Sequence, residues 1–136
     1  HSKGIHILGC FVFGFDHDTR DVFERTLDFV KTAKLDLVRY DLLTPLPGSL
    51  LFNQLKKNNR LLTENWEYYD TDHVVFKPKN MSALELEAGY RWIYERTYSY
   101  SNILNRIIRK QINLPLAMAA NLGLRRFVKK SVKKEF

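Results

Sequence analysis

Two short polar stretches hold the residue types that could do chemistry in this chain. The first, Gly14-Phe15-Asp16-His17-Asp18-Thr19, follows an apolar run from Ile5 to Phe13 and puts two carboxylates, an imidazole and a hydroxyl within six residues. The second, Thr44-Pro45-Leu46-Pro47-Gly48-Ser49, follows another apolar run, Leu35 to Leu43. Apolar, β-prone runs bounded by glycine or polar residues read as buried parallel strands. In parallel α/β units, ligands sit in the loops at the C-terminal ends of the strands. The two stretches therefore line one surface. Each also has a plainer reading. Asp16, His17 and Asp18 suit a helix cap with solvated charge, and Pro45-Leu46-Pro47-Gly48 suits a rigid turn.

Other reactive residues stand more alone. Cys10 is the single cysteine of 136 residues, which excludes an internal disulfide and any multi-cysteine metal or cluster site built by this chain alone. It reads as a small core residue, and a single cysteine fits a reducing, cytoplasmic setting. His73, before Val74-Val75-Phe76, is within reach of an active site, although a capped or core histidine is the commoner outcome. Trp66, Tyr68 and Tyr69 could line a substrate pocket or pack beneath a loop. The net charge is +7, but it is concentrated at the end, where residues 125–136 carry six basic residues against Glu135. The charge therefore says little about nucleic-acid binding by the chain as a whole, and no nucleic-acid partner is expected. Phe127, Val128 and Val132 alternate with lysine pairs in this tail, a pattern suited to peripheral contact with an anionic membrane surface or to a solvated terminal helix.

The elements that would position these residues follow from periodicity. An amphipathic helix from Thr19 to about Lys34, capped by Asp16, Asp18 or Thr19, joins the two strand runs into a βαβ unit. Two strands make no stable parallel sheet, so the unit must dock on other strands or lean on the rest of the chain. Ser49 caps a short helix, Leu50 to Lys57; His73 to Lys77 is a candidate strand stopped by Pro78. Ser82 with Glu85 forms a capping box for a long helix with an apolar stripe of Leu84, Ala88, Trp92, Ile93, Tyr100, Ile103, Leu104, Ile107 and Ile108. A kink is expected near Tyr98-Ser99-Tyr100-Ser101, and Asn113-Pro115 ends that helix and opens the next. The expected class is α/β, a βαβ unit followed by a mostly helical extension. Entry into a buried-type strand within a few residues of His1 reads as a piece of a longer protein.

Gly9-Cys10-Phe11-Val12-Phe13-Gly14-Phe15-Asp16-His17-Asp18-Thr19, then a helix, then Asp36 through Ser49, resembles the end of a radical S-adenosylmethionine (SAM) barrel. It is similar in particular to the branch with an N-terminal cobalamin-binding domain. The run Asn59 to Trp66, with Tyr69-Asp70, His73 to Pro78 and Met81-Ser82, resembles the C-terminal extension of that branch. The resemblance covers about residues 1 to 110. It implies a terminal βαβ unit of a partial (β/α) barrel at 1–52 and an extension with a long helix at 53–112; the residues themselves add a basic helical tail at 113–136. It also implies a [4Fe–4S] cluster held by a CxxxCxxC motif that this chain lacks, SAM on that cluster, a 5′-deoxyadenosyl radical, and cobalamin as a candidate methyl carrier. Phe11, Phe13, Gly14 and Phe15 match family positions that contact the adenosine of SAM. Asp18 and Thr19 fall on the end of a Gly-x-Pro-Gly-Glu-Thr pattern, from which Asp16-His17 departs. Thr44 and Pro45 match the last-strand exit that flanks the adenine. The partners implied are the rest of the barrel, a cobalamin-binding domain, and a small-molecule or lipid-like substrate. The rival from another class is a non-catalytic basic module at a membrane surface or on nucleic acid.

Overall fold

The structure, a computed structural model, describes residues 3, 5–108 and 114–131. The order of elements is β1 (Leu8–Phe13), α1 (Val22–Thr32), β2 (Leu37–Leu42), α2 (Leu50–Lys57), a single 3-10 turn (Trp66–Tyr68), α3 (Ala83–Thr97), α4 (Tyr100–Ile108) and α5 (Leu114–Ser131). This is an α/β arrangement. Among the described residues it contains one two-stranded sheet, in which β1 and β2 run parallel in the register Leu8 to Leu37 through Phe13 to Leu42.

β1 begins three residues later than the apolar run because Asp36 takes the backbone of Ile7. The Ile7 N–H donates to the Asp36 carboxylate at 2.7 Å, and the Ile7 carbonyl accepts from the Asp36 N–H at 3.0 Å. α1 also starts later than expected, and neither Asp16, Asp18 nor Thr19 caps it. The cap residue is Asp21, which makes no side-chain cap bond, while Thr19 is spent in a turn with Val22 and Asp21. α2 matches its expected limits, and the Ser49 hydroxyl accepts from the Phe52 N–H at 3.1 Å. The candidate strand His73–Lys77 reduces to one isolated antiparallel bridge, Leu61 to Phe76, with only two flanking backbone bonds.

The capping box of Ser82 and Glu85 opens α3, but the buried face of that helix differs from the expected stripe. Leu84 is 77% exposed. The buried residues are Leu86, Tyr90, Ile93, Tyr94 and Thr97, a helical face that the tyrosines complete. The expected kink is a full break at Tyr98-Ser99, after which the Ser99 hydroxyl accepts from the Asn102 N–H at 3.4 Å as α4 begins. Pro115 lies in the first turn of α5 as expected. Val132 to Phe136 of the basic tail, and the side chains of Phe127 and Val128, lie outside the described residues.

One core joins these elements. Phe11 and Phe13 alternate with Cys10 and Val12 along β1, and Val38, Tyr40 and Leu42 alternate with Arg39 and Asp41 along β2. Phe13, Val38, Tyr40 and Leu42 face inward with Phe23, Leu27 and Val30 of α1 and Leu86, Tyr90, Ile93 and Tyr94 of α3. Gly89 allows α3 to approach α1 closely, since a Cβ there would stand 2.0 Å from the Phe23 ring. The opposite face of the sheet is uncovered among the described residues. Leu8 and Val12 are exposed there, and so is Cys10, which is therefore not the core residue its type suggests. Cysteine is small and soft enough for either side of a strand, and the period of two puts it opposite Phe11 and Phe13.

The outer edge of β2 is sealed by side chains. Val38 donates its N–H to the Tyr98 hydroxyl at 3.1 Å, and that hydroxyl donates to the Val38 carbonyl at 2.5 Å. Tyr94 repeats the pattern with the N–H and carbonyl of Tyr40 at 3.0 and 2.8 Å. Leu42 donates its N–H to the Thr71 carbonyl at 2.7 Å. A hydroxyl both donates and accepts, so tyrosines four residues apart on a helix supply what a neighbouring strand would. Among the described residues, no buried side-chain nitrogen or oxygen lacks a partner.

Candidate functional site

The loops after β1 and β2 leave the same end of the sheet. The last rung between the strands is the Leu43 N–H donating to the Phe13 carbonyl at 2.8 Å, and the chain diverges on both sides of it. Gly14 follows at φ +108°, a conformation that L side chains rarely adopt. A Cβ at Gly14 would lie 3.1 Å from both Leu86 Cδ2 and Phe76 Cζ, so this glycine serves the turn and the packing behind it. Asp18 folds back: one of its oxygens accepts from the N–H of Gly14 at 2.9 Å and of Phe15 at 3.0 Å. The Asp18 N–H closes the turn on the Phe15 carbonyl at 2.9 Å.

The apex of this loop is held from outside. Asp16 receives a two-pronged bond from Arg60, Nη2 at 2.7 Å and Nη1 at 3.2 Å. The Arg60 Nε donates to the Lys77 carbonyl at 2.9 Å. Asn80 donates from Nδ2 to the Asp16 carbonyl at 2.8 Å. The Arg60 hydrogen bond holds the Asp16 carboxyl below its ordinary value of 3.8. In the second loop, the Thr44 hydroxyl donates to the Leu42 carbonyl at 3.1 Å, Pro45 is fully buried, and Gly48 turns the chain at φ +82° before Ser49 caps α2.

The structure separates the sequence-predicted residues into two kinds. Phe13, Gly14 and Pro45 are buried and shape the strand exits from behind. Phe11 is half-buried, with its ring 6.0 Å from that of Phe29 and 5.8 Å from that of Tyr40 on the helix side. Phe15, 45% exposed, presents its ring outward, and Thr44 and Asp18 are partly open. His73 meets the Asp70 carboxylate through Nδ1 at 2.8 Å and sets its ring edge-on to Tyr68. Trp66 lies 5.9 Å from Phe52 and 4.9 Å from Tyr69, an aromatic patch beside α2.

Two features escaped the sequence reading. One is the open sheet face, where Cys10 stands opposite Arg39 and Val12 opposite Asp41. Arg39 Nε donates to both Asp41 oxygens at 2.9 and 3.2 Å, and the Thr71 hydroxyl donates to one of them at 3.1 Å. Strand alternation across the paired register would have found that face. The other is the Arg60 bond, which spans 44 residues and leaves no local signal. A cavity of about 320 Å³ lies at the opposite, N-terminal end of the strands, lined by Ile7, Leu37, Arg106, Ile107 and Asn121 among others, and is remote from both loops. Among the described residues no group of three or more histidine, cysteine or acidic side chains is placed to hold a metal ion. No described helix is long and apolar enough to cross a membrane.

The chain is 32% identical over 130 residues to bacteriochlorophyllide d C-12(1)-methyltransferase of Chlorobaculum tepidum, covering 96% of this chain and 28% of that protein. It is 35% identical over 101 residues to an uncharacterized methyltransferase of Pyrococcus horikoshii, covering 74% and 22% respectively. It is 28% identical over 121 residues to bacteriochlorophyllide d C-8(2)-methyltransferase of Chlorobaculum tepidum, covering 87% and 27%. The chain thus spans about a quarter of the length of these curated relatives. The family described as a domain of unknown function, DUF4070, matches residues 50–130, which hold α2, Arg60, Asn80 and the edge-sealing Tyr94 and Tyr98. With more than half of its length matched, the chain belongs to the DUF4070 family.

Proposed function

We propose that this chain is the C-terminal part of a radical SAM methyltransferase of the cobalamin-dependent type. On this reading β1, α1 and β2 are the last unit of a partial barrel. The parallel β1-α1-β2 unit carries the proposal, because its two loops open at one end beside an uncovered sheet face. The methyltransferase names of the relatives support the reaction class and disfavour the rival of a non-catalytic basic module. The residues present do not suit a [4Fe–4S] cluster: Cys10 is a lone thiol on an open strand, and the sequence has no CxxxCxxC. The cluster ligands and any cobalamin belong, in this proposal, to the rest of the protein.

The loops do suit the adenosine of SAM, which supplies the methyl group or the radical when bound. An adenine asks for an apolar, partly aromatic wall beside open backbone polar groups. Phe15 and Leu46 are exposed at the two strand exits. Phe11, Phe13, Gly14, Asp18 and Pro45 set the backbone on which these side chains stand, and Thr44 opens the second loop with its hydroxyl on the Leu42 carbonyl. The substrate is a small-molecule or lipid-like compound on this reading, and the basic tail gives a peripheral membrane contact.

The test is a SAM titration on the intact, cluster-loaded protein. Phe15→Ala is expected to weaken SAM binding by about 5- to 150-fold, the loss of roughly 1–3 kcal/mol of apolar contact. Iron content and thermal melting should stay at wild-type values, with Leu84→Ala as an exposed control on α3. Unchanged affinity in a folded, cluster-loaded Phe15→Ala protein would remove this loop from the SAM site.

A further inference from the structure

The loop from Gly14 to Thr19 is shaped less by its own residues than by the segment that follows α2. Asp18 closes the turn from within, but the apex residue Asp16 is fixed at both ends by distant groups. Its carboxylate lies in the Arg60 fork, and its carbonyl accepts from Asn80. Arg60 is itself anchored before it reaches Asp16. Its N–H donates to the Leu55 carbonyl at 2.9 Å, its carbonyl accepts from the Lys77 N–H at 2.7 Å, and its Nε donates to the Lys77 carbonyl. The arginine side chain is 21% exposed, against 49% for Asp16. A guanidinium fixed along its length presents two parallel donors in one orientation, which a lysine cannot do. Behind the loop, Phe76 and Leu86 close on Gly14, and just past it Arg20 pairs with Glu85 of the α3 capping box.

We infer that Arg60 and Asn80 are positioning residues for the Gly14–Thr19 loop, which assigns a task to a segment otherwise without one: it presses that loop into the shape that receives SAM. The inference rests on the SAM reading above for its ligand, but the clamp is defined by contacts within the chain. A half-exposed ion pair contributes little to global stability. Its effect should instead appear locally, because a loop already held in its bound shape gives up less freedom when the ligand arrives.

The experiment uses the intact protein with Arg60→Gln, Asp16→Asn and Asn80→Ala. It follows amide hydrogen exchange in peptides covering residues 14–19, SAM affinity by titration, and melting temperature. In each variant, exchange of the loop should quicken and SAM affinity fall roughly 3- to 10-fold, with melting within about 2 °C of wild type. Arg60→Lys should behave like Arg60→Gln, and Asp16→Asn in the Arg60→Gln background should add nothing, because the two residues act as one contact. Faster exchange with SAM affinity unmoved supports the clamp and overturns the SAM reading of the loop. Unchanged exchange overturns the inference. So does a melting temperature that falls in step with affinity, which would make Arg60 a general stabiliser of the fold. Asn80→Ala removes a single exposed bond to a carbonyl, and keeps the test open if an Arg60 variant fails to fold.

Discussion

Gly14 shows how much one position can carry. The sequence placed it correctly at the change from apolar strand to polar loop, and the resemblance set it among the positions that contact the adenosine of SAM. Its positive φ and the 3.1 Å approaches of Leu86 and Phe76 tie it also to the turn and to the packing behind it. Gly14→Ala should therefore destabilise the fold by about 1–3 kcal/mol through backbone strain and crowding, read as a lower midpoint in urea unfolding. Phe15→Ala, one residue on, should leave that midpoint nearly in place, since its ring is already 45% exposed. Asp18 was legible as a polar group with a local job but not which job. A carboxylate can cap the helix ahead or fold back on the loop behind, and only the backbone angle at Gly14 decides between them. Cys10 misled for a similar reason: side-chain type does not reveal which face of a strand a residue takes.

At the scale of elements, the strands, α2 and both serine caps were readable because each signal is local: an apolar run, a Ser at the cap position, a Glu three residues on. The buried face of α3 was not. Tyr90 and Tyr94 on that helix and Tyr98 just past its end count as surface-compatible residues in any hydropathy pattern, and their partners lie fifty or sixty residues away on β2. The expected stripe holds at Ile93, Ile103 and Ile107, which are buried, but Leu84, Ala88, Tyr100 and Leu104, chosen on side-chain character alone, face solvent. Tyr98→Phe should uncover this role. It leaves the buried N–H and carbonyl of Val38 without the hydroxyl that serves both, and an unpaired buried polar group costs about 1–3 kcal/mol. Urea unfolding should show a stability loss of that size with an unchanged slope. No loss would mean that water or a neighbouring hydroxyl replaces Tyr98.

For the whole molecule, the tyrosines make stability a function of alkaline pH. Burial pushes the Tyr94 phenol up from 10 to about 12, and drives Tyr40, Tyr90 and Tyr98 upward as well. A group whose folded pKa exceeds its unfolded value stabilises the fold fully below the unfolded value, and that stability drains away as pH rises through the folded one. The fold should thus hold up to about pH 10, then weaken and open cooperatively above it, with circular dichroism and phenolate absorbance at 295 nm changing together. Phenolate appearing in full well before the circular dichroism changes would show that these hydroxyls are open to solvent. The sealed edge has one more consequence, for how copies of this sheet could associate. A strand with an open edge is a template for endless stacking, but here only β1 offers one among the described residues. On the proposed reading the rest of the barrel takes the β1 edge, so the sheet of the intact protein offers copies no template on this side, because the helix that closes β2 with its tyrosines also ends the sheet.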